Sequence, residues 1–278
     1  MKKINNVILV YKKSSYELKR YNSRYEQHVK LAHKRQKDTL NAVINFLKLK
    51  KIKHQIFYRA ELNKILNADL IISVGGDGTF LEVSHYVLNS PILGINSDAQ
   101  SSTGFFCHAN KNNFKEIIEN IEKEPKTKLT RMQLSLNDKK IKQLVVNDIL
   151  IAHKNPAATT KYEAILNYNK NIIKLKNKDS GLLLSTGSGS SAFMYNEGGK
   201  KFDIDKDYFI AYARANRNSE FFYFEDAKIE SSSYLGRIYI DGPHLNYSFK
   251  LNSILKITKG IKLNVIGDLN NKRKKIEE

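Results

Sequence analysis

A carboxylate stands among glycines at Gly75-Gly76-Asp77-Gly78-Thr79, directly after the apolar run Leu70–Val74. Glycines can take positive φ and let a ligand approach backbone N–H groups. Thr79 and Glu82 have the spacing of a capping box, which predicts a helix from about Phe80. A strand running through such a loop into a helix N-terminus presents free N–H groups and a partial positive charge to an anion, phosphate above all. Asp77 alone would repel that phosphate. It fits beside a Mg²⁺ ion or beside a hydroxyl whose proton must leave. The combination is that of a kinase in which an acceptor hydroxyl attacks a polyphosphate, with Asp77 as general base. The rival is a plain strand-to-helix turn with Asp77 as its surface cap.

A second loop of small residues runs from Ser185 to Ala192, between Leu182–Leu184 and Phe193. Its hydroxyls and N–H groups suit a flat ligand lying against the backbone, and the rival is a flexible linker. Asn147 and Asp148 interrupt an apolar stretch and read alone as a turn. Phe105 is as much a core residue as a ligand-facing ring. Lys19, Arg20 and Arg24 can reach phosphates or form a solvated basic face. Asp241-Gly242 reads as a type I′ turn. The histidines have no metal-ligand spacing, and Cys107 reads as a core residue.

These groups need a scaffold to hold them. The run "NNVILVY" reads as a first buried strand, "KHQIFYR", "ADLIISV" and "PILGINS" as three more. An amphipathic helix is predicted over 38–49 with Asp38 as N-cap, another over 80–88, and a further one in "KNNFKEIIENIEKE". Strand–helix alternation predicts an α/β sheet. From Leu129 on, seven runs alternate apolar and polar residues between turn-like Asn, Asp, Gly and Lys, predicting antiparallel strands. The expected fold is an N-terminal Rossmann-like α/β domain followed by an antiparallel β-sandwich domain. The expected division is 1–100 plus 256–278 for the first and 101–255 for the second.

With 278 residues and 41% hydrophobic content, the chain is long enough for two cores. The net charge of +19 favours anionic partners. Only nine of the 47 basic residues are Arg, however, so the charge reads more as compositional bias than as a nucleic-acid surface. A single cysteine excludes an internal disulfide and suits a reducing compartment. A soluble cytoplasmic protein with small-molecule substrates is expected, without nucleic-acid or membrane partners.

"GGDGTFL" resembles the signature of the NAD kinase superfamily, shared with diacylglycerol and sphingosine kinases. "SGLLLSTGSGSSAF" resembles the NAD kinase segment D-G-L-x-x-S-T-P-T-G-S-T-A-Y. Ser180 stands in place of Asp, Gly187 in place of Pro and Phe193 in place of Tyr. These departures are similar to the divergent mitochondrial-type branch of NAD kinases. The resemblance implies Mg²⁺-dependent transfer of the γ-phosphoryl group of ATP to the 2′-hydroxyl of the adenosine ribose of NAD. It implies phosphate contacts at Gly75, Gly76, Gly78 and Thr79, ribose contacts at Asn147 and Asp148, and acceptor contacts at Phe105, Ser180, Thr186, Gly189, Ser190, Ser191, Ala192 and Phe193. It also implies NAD in a cleft between the two domains, a C-terminal tail returning to the first domain, and a homodimer or homotetramer. The alternatives are a lipid kinase of the same superfamily and a catalytically inactive nucleotide-binding protein.

Overall fold

The computed structural model describes residues 4–216 and 220–277. They form two compact units, one of Met1–Lys128 with Leu263–Glu278 and one of Leu129–Lys262. The first begins with β1 (Asn6–Tyr11), α1 (Glu26–Leu49), β2 (Lys53–Tyr58), β3 (Leu70–Gly75), α2 (Asp77–Ser84), β4 (Ile92–Asn96), β5 (Cys107–Asn110), α3 (Phe114–Glu119) and β6 (Lys126–Leu129). Every residue of β3 and β4 is buried, as in a parallel sheet covered on both faces. Leu40, Val43, Phe46 and Leu47 of α1 pack on Val7, Leu9, Leu70, Ile72 and Val74, and α3 adds Phe114, Ile117 and Ile118.

Among the described residues the second unit is β apart from a 3-10 turn at Gly189–Ser191 and one turn of helix, α4 (Phe193–Asn196). One six-stranded sheet has the order β11-β10-β15-β18-β7-β8. Its strands are β7 (Met132–Leu136), β8 (Lys139–Lys140), β10 (Thr160–Tyr168), β11 (Asn171–Asp179), β15 (Asp226–Ser231) and β18 (Ile254–Lys259). The other has the order β14-β13-β12-β9-β16-β17. It contains β9 (Asp148–His153), β12 (Leu182–Ser185), β13 (Phe209–Ala213), β14 (Phe221–Phe224), β16 (Gly236–Ile240) and β17 (Leu245–Phe249). Burial alternates along β10 and β15 with the period of two that one-sided strands require. Inward residues of both sheets, among them Leu134, Tyr162, Ile229, Leu184, Phe209 and Ile238, share one core, so the unit is a sandwich.

The chain then returns to the first unit as β19 (Leu263–Ile266) and α5 (Leu269–Glu277). Val265 pairs with Ile92 in parallel. The completed sheet has the order β2-β1-β3-β4-β19-β6, with β5 also on β4. The units divide at 128/129 and 262/263 rather than at 100/101 and 255/256, because β5 and β6 extend the first sheet and β18 belongs to the second unit.

Three local expectations are corrected. Helix α1 starts at Glu26, and Asp38 lies inside it, paired with Lys111 at 3.3 Å. Helix α2 starts at Asp77 and its N-cap Gly76 makes no side-chain cap bond. Thr79 and Glu82 therefore form no capping box, and both instead meet Arg59. Neither Gly75 nor Gly76 has positive φ. Gly75 is needed for space, since a Cβ there would lie 2.3 Å from Thr79 Oγ1.

Candidate active site

In the first unit β1 connects outward to β2 and the chain then crosses to β3 on its other side. The carboxyl ends of β1 and β3 thus form a topological switch point, where open α/β sheets bind ligands. Buried Gln36 of α1 bridges the diverging strands, its Nε2 donating to the carbonyls of Lys12 (3.2 Å) and Val74 (3.3 Å). Gly75–Thr79 follows β3 at this point.

Both oxygens of Asp77 are engaged. Oδ2 accepts the Phe105 N–H at 2.9 Å and Oδ1 the Phe106 N–H at 2.8 Å. The carboxylate is therefore fixed in direction, with lone pairs remaining for a further donor. Phe106 stacks on Phe80 of α2 with centroids 4.9 Å apart, and half-buried Phe105 meets Phe106 edge-on. Phe105 is thus tied to Asp77 by its backbone and keeps part of its ring exposed.

Sequence reasoning missed the cations. Tyr11 pairs with Tyr58 on one side and Val74 on the other, so Lys12 and Arg59 each follow the end of adjacent strands, and their charges interact. Arg59 Nη1 is 3.4 Å from Thr79 Oγ1, and Nε pairs with Glu82 at 3.0 Å. The Lys12 ammonium makes no ion pair or hydrogen bond among the described residues, and its pKa is lowered by burial and then by the Arg59 charge. A half-buried unpaired cation beside a second cation calls for an anion. Arg35 is occupied by Asp98, Nε to Oδ1 at 2.6 Å. Lys19, Arg20 and Arg24 are exposed on the surface.

The second unit gathers most of the other candidates. Thr186 N–H and Ser185 Oγ both donate to the Asn147 carbonyl, at 2.9 and 3.2 Å. Ser188 Oγ donates to the Val146 carbonyl at 2.6 Å, as does Thr186 Oγ1. Gly189 presses on the same strand end, for a Cβ there would lie 2.1 Å from the Asn147 carbonyl oxygen. Ser190 Oγ donates to Gly187 O at 2.7 Å and Ser191 Oγ to Ser188 O at 3.3 Å. Ala192 leads into α4, where the Arg214 guanidinium lies 5.1 Å from the Phe193 ring centroid. Ser180 is not part of this cluster. It is exposed at the opposite end of β12 from the loop.

Asn147 and Asp148 are not a hairpin turn, since Asp148 opens β9. The N–H groups of Val146, Asn147 and Asp148 converge on the Asp241 carboxylate at 2.9, 2.7 and 3.0 Å. Asp241, with φ 48°, opens the four-residue connection between β16 and β17, where Ile240 pairs with Leu245, so a two-residue type I′ hairpin is not formed. Asn147 Oδ1 is buried without a partner. The Asp148 carboxylate has no hydrogen bond among the described residues, and burial, followed by the nearby Asp241 charge, raises its pKa to about 7. Two adjacent acceptors left unsatisfied in a folded protein fit a ligand that brings hydroxyl donors.

Mg²⁺ commonly binds through one or two carboxylates plus substrate phosphates and waters. Among the described residues no group of three or more His, Cys, Asp or Glu is placed to hold a metal.

Together these features define a chain of two units, an open parallel α/β sheet with a glycine-flanked carboxylate at its switch point and an antiparallel sandwich with buried unsatisfied acceptors. Residues 4–126 match the family model described as the ATP-NAD kinase N-terminal domain. The chain is 29% identical over 254 residues to a probable NADH kinase of Oryza sativa subsp. japonica, covering 80% of this chain and 78% of that protein. It is 28% identical over 181 residues to an NAD kinase of Clostridium perfringens, covering 59% and 63%. In fold it is similar to an Archaeoglobus fulgidus NAD kinase solved with ATP, with TM-score 0.69, 19% identity and 98% and 97% coverage. It is likewise similar to yeast NADH kinase solved with NADH, with TM-score 0.72, 14% identity and 100% and 88% coverage. The chain is thus similar to NAD and NADH kinases, through the family model over residues 4–126 and through the rice relative along most of its length.

Proposed function

We propose that this protein transfers the γ-phosphoryl group of MgATP to the 2′-hydroxyl of the adenosine ribose of NAD, giving NADP and ADP. The observation that carries this reading is the Asp77 carboxylate fixed by two backbone N–H groups in the loop after β3, at the switch point of the first sheet, where the half-buried Lys12 follows the neighbouring strand. Lys12, Arg59 and the N–H groups around Gly76–Thr79 hold the donor phosphates and offset their charge. Mg²⁺ would arrive with the nucleotide substrate and would supply charge neutralisation at the transferring phosphoryl group. Asp77 takes the proton of the attacking hydroxyl, the new O–P bond forms, and ADP leaves. Asn147 Oδ1 and the Asp148 carboxylate receive the ribose hydroxyls, and the Ser185–Phe193 loop receives the rest of the dinucleotide.

A lipid kinase is less well supported. A cavity of the second unit is open and has Lys139, Lys140 and Lys142 in its wall beside Leu136, Ile141 and Tyr247, which is not the closed apolar tunnel that an acyl chain needs. No helix among the described residues is long and apolar enough to cross a membrane. The reading includes a cytoplasmic homodimer or homotetramer, for which the partly buried ring cluster Tyr168, Phe202, Tyr208 and Tyr223 offers a face.

The deciding assay is NADP formation by the purified protein from NAD⁺ or NADH with ATP and Mg²⁺, repeated with polyphosphate as donor. Absence of product from every pair would overturn the proposal.

A further inference from the structure

The turn that holds Asp77 is itself held by the last helix described. Lys272 Nζ of α5 donates to the carbonyl oxygens of Gly104 and Cys107, each at 2.5 Å. The Gly104 carbonyl belongs to the peptide group whose N–H is that of Phe105, the donor to Asp77 Oδ2. One peptide unit therefore connects the two charges, as Lys272 Nζ–H to O=C, then N–H to Oδ2. Hydrogen bonds in such a chain polarise and strengthen one another. The Cys107 N–H closes the turn on the Gly104 carbonyl at 2.9 Å.

The helix is anchored for this task. Leu269 is buried and its N–H donates to Thr127 Oγ1 at 3.1 Å, while Thr127 Oγ1 donates to Gly267 O at 2.6 Å. The next residue along, Arg273, places its guanidinium 5.7 Å from the Phe105 ring centroid. Among the described residues Lys272 has no carboxylate partner within ion-pair distance, and burial lowers its pKa against the pull of Cys107 and Asp77. A lysine spent on two carbonyls of one turn, rather than on a surface acid, is an expensive way to stabilise a helix end and a direct way to fix that turn.

We infer that Lys272 is a positioning residue for Asp77, acting through the Gly104–Phe105 peptide, so that α5 sets the direction of the carboxylate. The inference rests on the proposed function only in taking Asp77 as the catalytic group. The hydrogen-bond chain itself is tested without turnover.

The experiment compares Lys272→Met and Lys272→Arg in the full chain, alone and combined with Asp77→Asn. By ¹⁵N–¹H NMR, the Phe105 amide proton should move upfield and exchange faster in K272M, with K272R close to wild type. In kinetics, K272M should lose about 10²-fold in kcat, the scale of a small misplacement, with KM for NAD and ATP within about twofold. K272R should recover most of the loss, and K272M should cost little more in the D77N background. An unchanged Phe105 amide in folded K272M overturns the inference, as does an equal kcat loss with and without Asp77. If the wild type makes no NADP yet the amide responds as stated, the positioning stands and the proposed reaction falls.

Discussion

Asp241 accepts the N–H groups of Val146, Asn147 and Asp148 on one carboxylate, at 2.7 to 3.0 Å, and so sets its own charge beside the Asp148 side chain. The arrangement fixes the Asn147–Asp148 backbone and makes Asp148 reluctant to ionise. It also reaches deeper, because the charge of fully buried Arg131 interacts with Asp241 and Arg131 Nε donates to Ile261 O at 2.9 Å.

Asp148→Asn should separate stability from function. The folded pKa of Asp148 is raised to about 7, above an unfolded value of about 3.9. Its stabilising contribution is therefore complete below about pH 4 and is lost as pH rises to about 7. At pH 8 the variant should be more stable than wild type by up to about 4 kcal/mol, and at pH 4 the two should match. Its KM for NAD should rise at least about tenfold, since an ionised acceptor is lost. Urea unfolding at both pH values and initial-rate kinetics check this, and a variant less stable than wild type at pH 8 would contradict it.

Asp241→Ala leaves three backbone donors without their acceptor and strips Arg131 of a facing charge. The cost should be about 3–5 kcal/mol. Asp241→Asn, which keeps an acceptor, should cost less than half as much. Thermal unfolding of both variants measures the difference; equal losses would mean that charge rather than N–H acceptance matters.

Lys12→Met should raise KM for MgATP about tenfold, the worth of one phosphate contact of about 1.4 kcal/mol, and leave KM for NAD unchanged. Folding stability should not fall, because the variant relieves a buried charge next to Arg59. A selective effect on NAD instead would move Lys12 out of the donor site.

Asp77→Asn should lower kcat by about 10²–10⁴-fold. It should also cost about 1–2 kcal/mol in stability, since an amide NH₂ must face one of the Phe105 and Phe106 N–H groups. Circular dichroism at the assay temperature separates the two effects. Full activity in a folded variant would exclude Asp77 as the base.

Gly187→Pro restores the residue usual in the NAD kinase segment and should nevertheless be harmful. A Cβ there would lie 2.3 Å from Asp203 O and 2.7 Å from Ile204 Cα. Backbone cannot yield as a flexible side chain does, so a loss of about 1–3 kcal/mol is expected, read from a thermal melt.

The parts of the site legible in the sequence are those written contiguously. Gly75–Thr79 follows a buried strand, and Ser185–Phe193 follows another, so both loops were readable from their neighbours. Lys12 and Arg59 were not, because their adjacency exists only through the pairing of Tyr11 with Tyr58 and Val74. Asp241 carries the pattern of a turn, and its partners lie 93 to 95 residues earlier. The first turns of α1 also escaped notice. Before Thr39 and Leu40, Gln36 is their one buried residue, so no apolar stripe marks them. Strand β13 is a continuous apolar run and β14 an aromatic one rather than alternating segments, and β15 alternates Ala and Ile with Asp, Lys and Glu just after β14.

The return of β19 and α5 to the first sheet has a consequence for how the chain is made. The Gly75–Thr79 loop leaves the ribosome long before Val265 and Lys272 do, with the whole sandwich synthesised in between. Contacts of such long sequence separation form late. A nascent chain halted within the second unit would expose the loop without the strand that completes its sheet or the lysine that braces its carboxylate. Truncated translation products should then be silent, and catalytic competence would serve as a check that synthesis ran through α5.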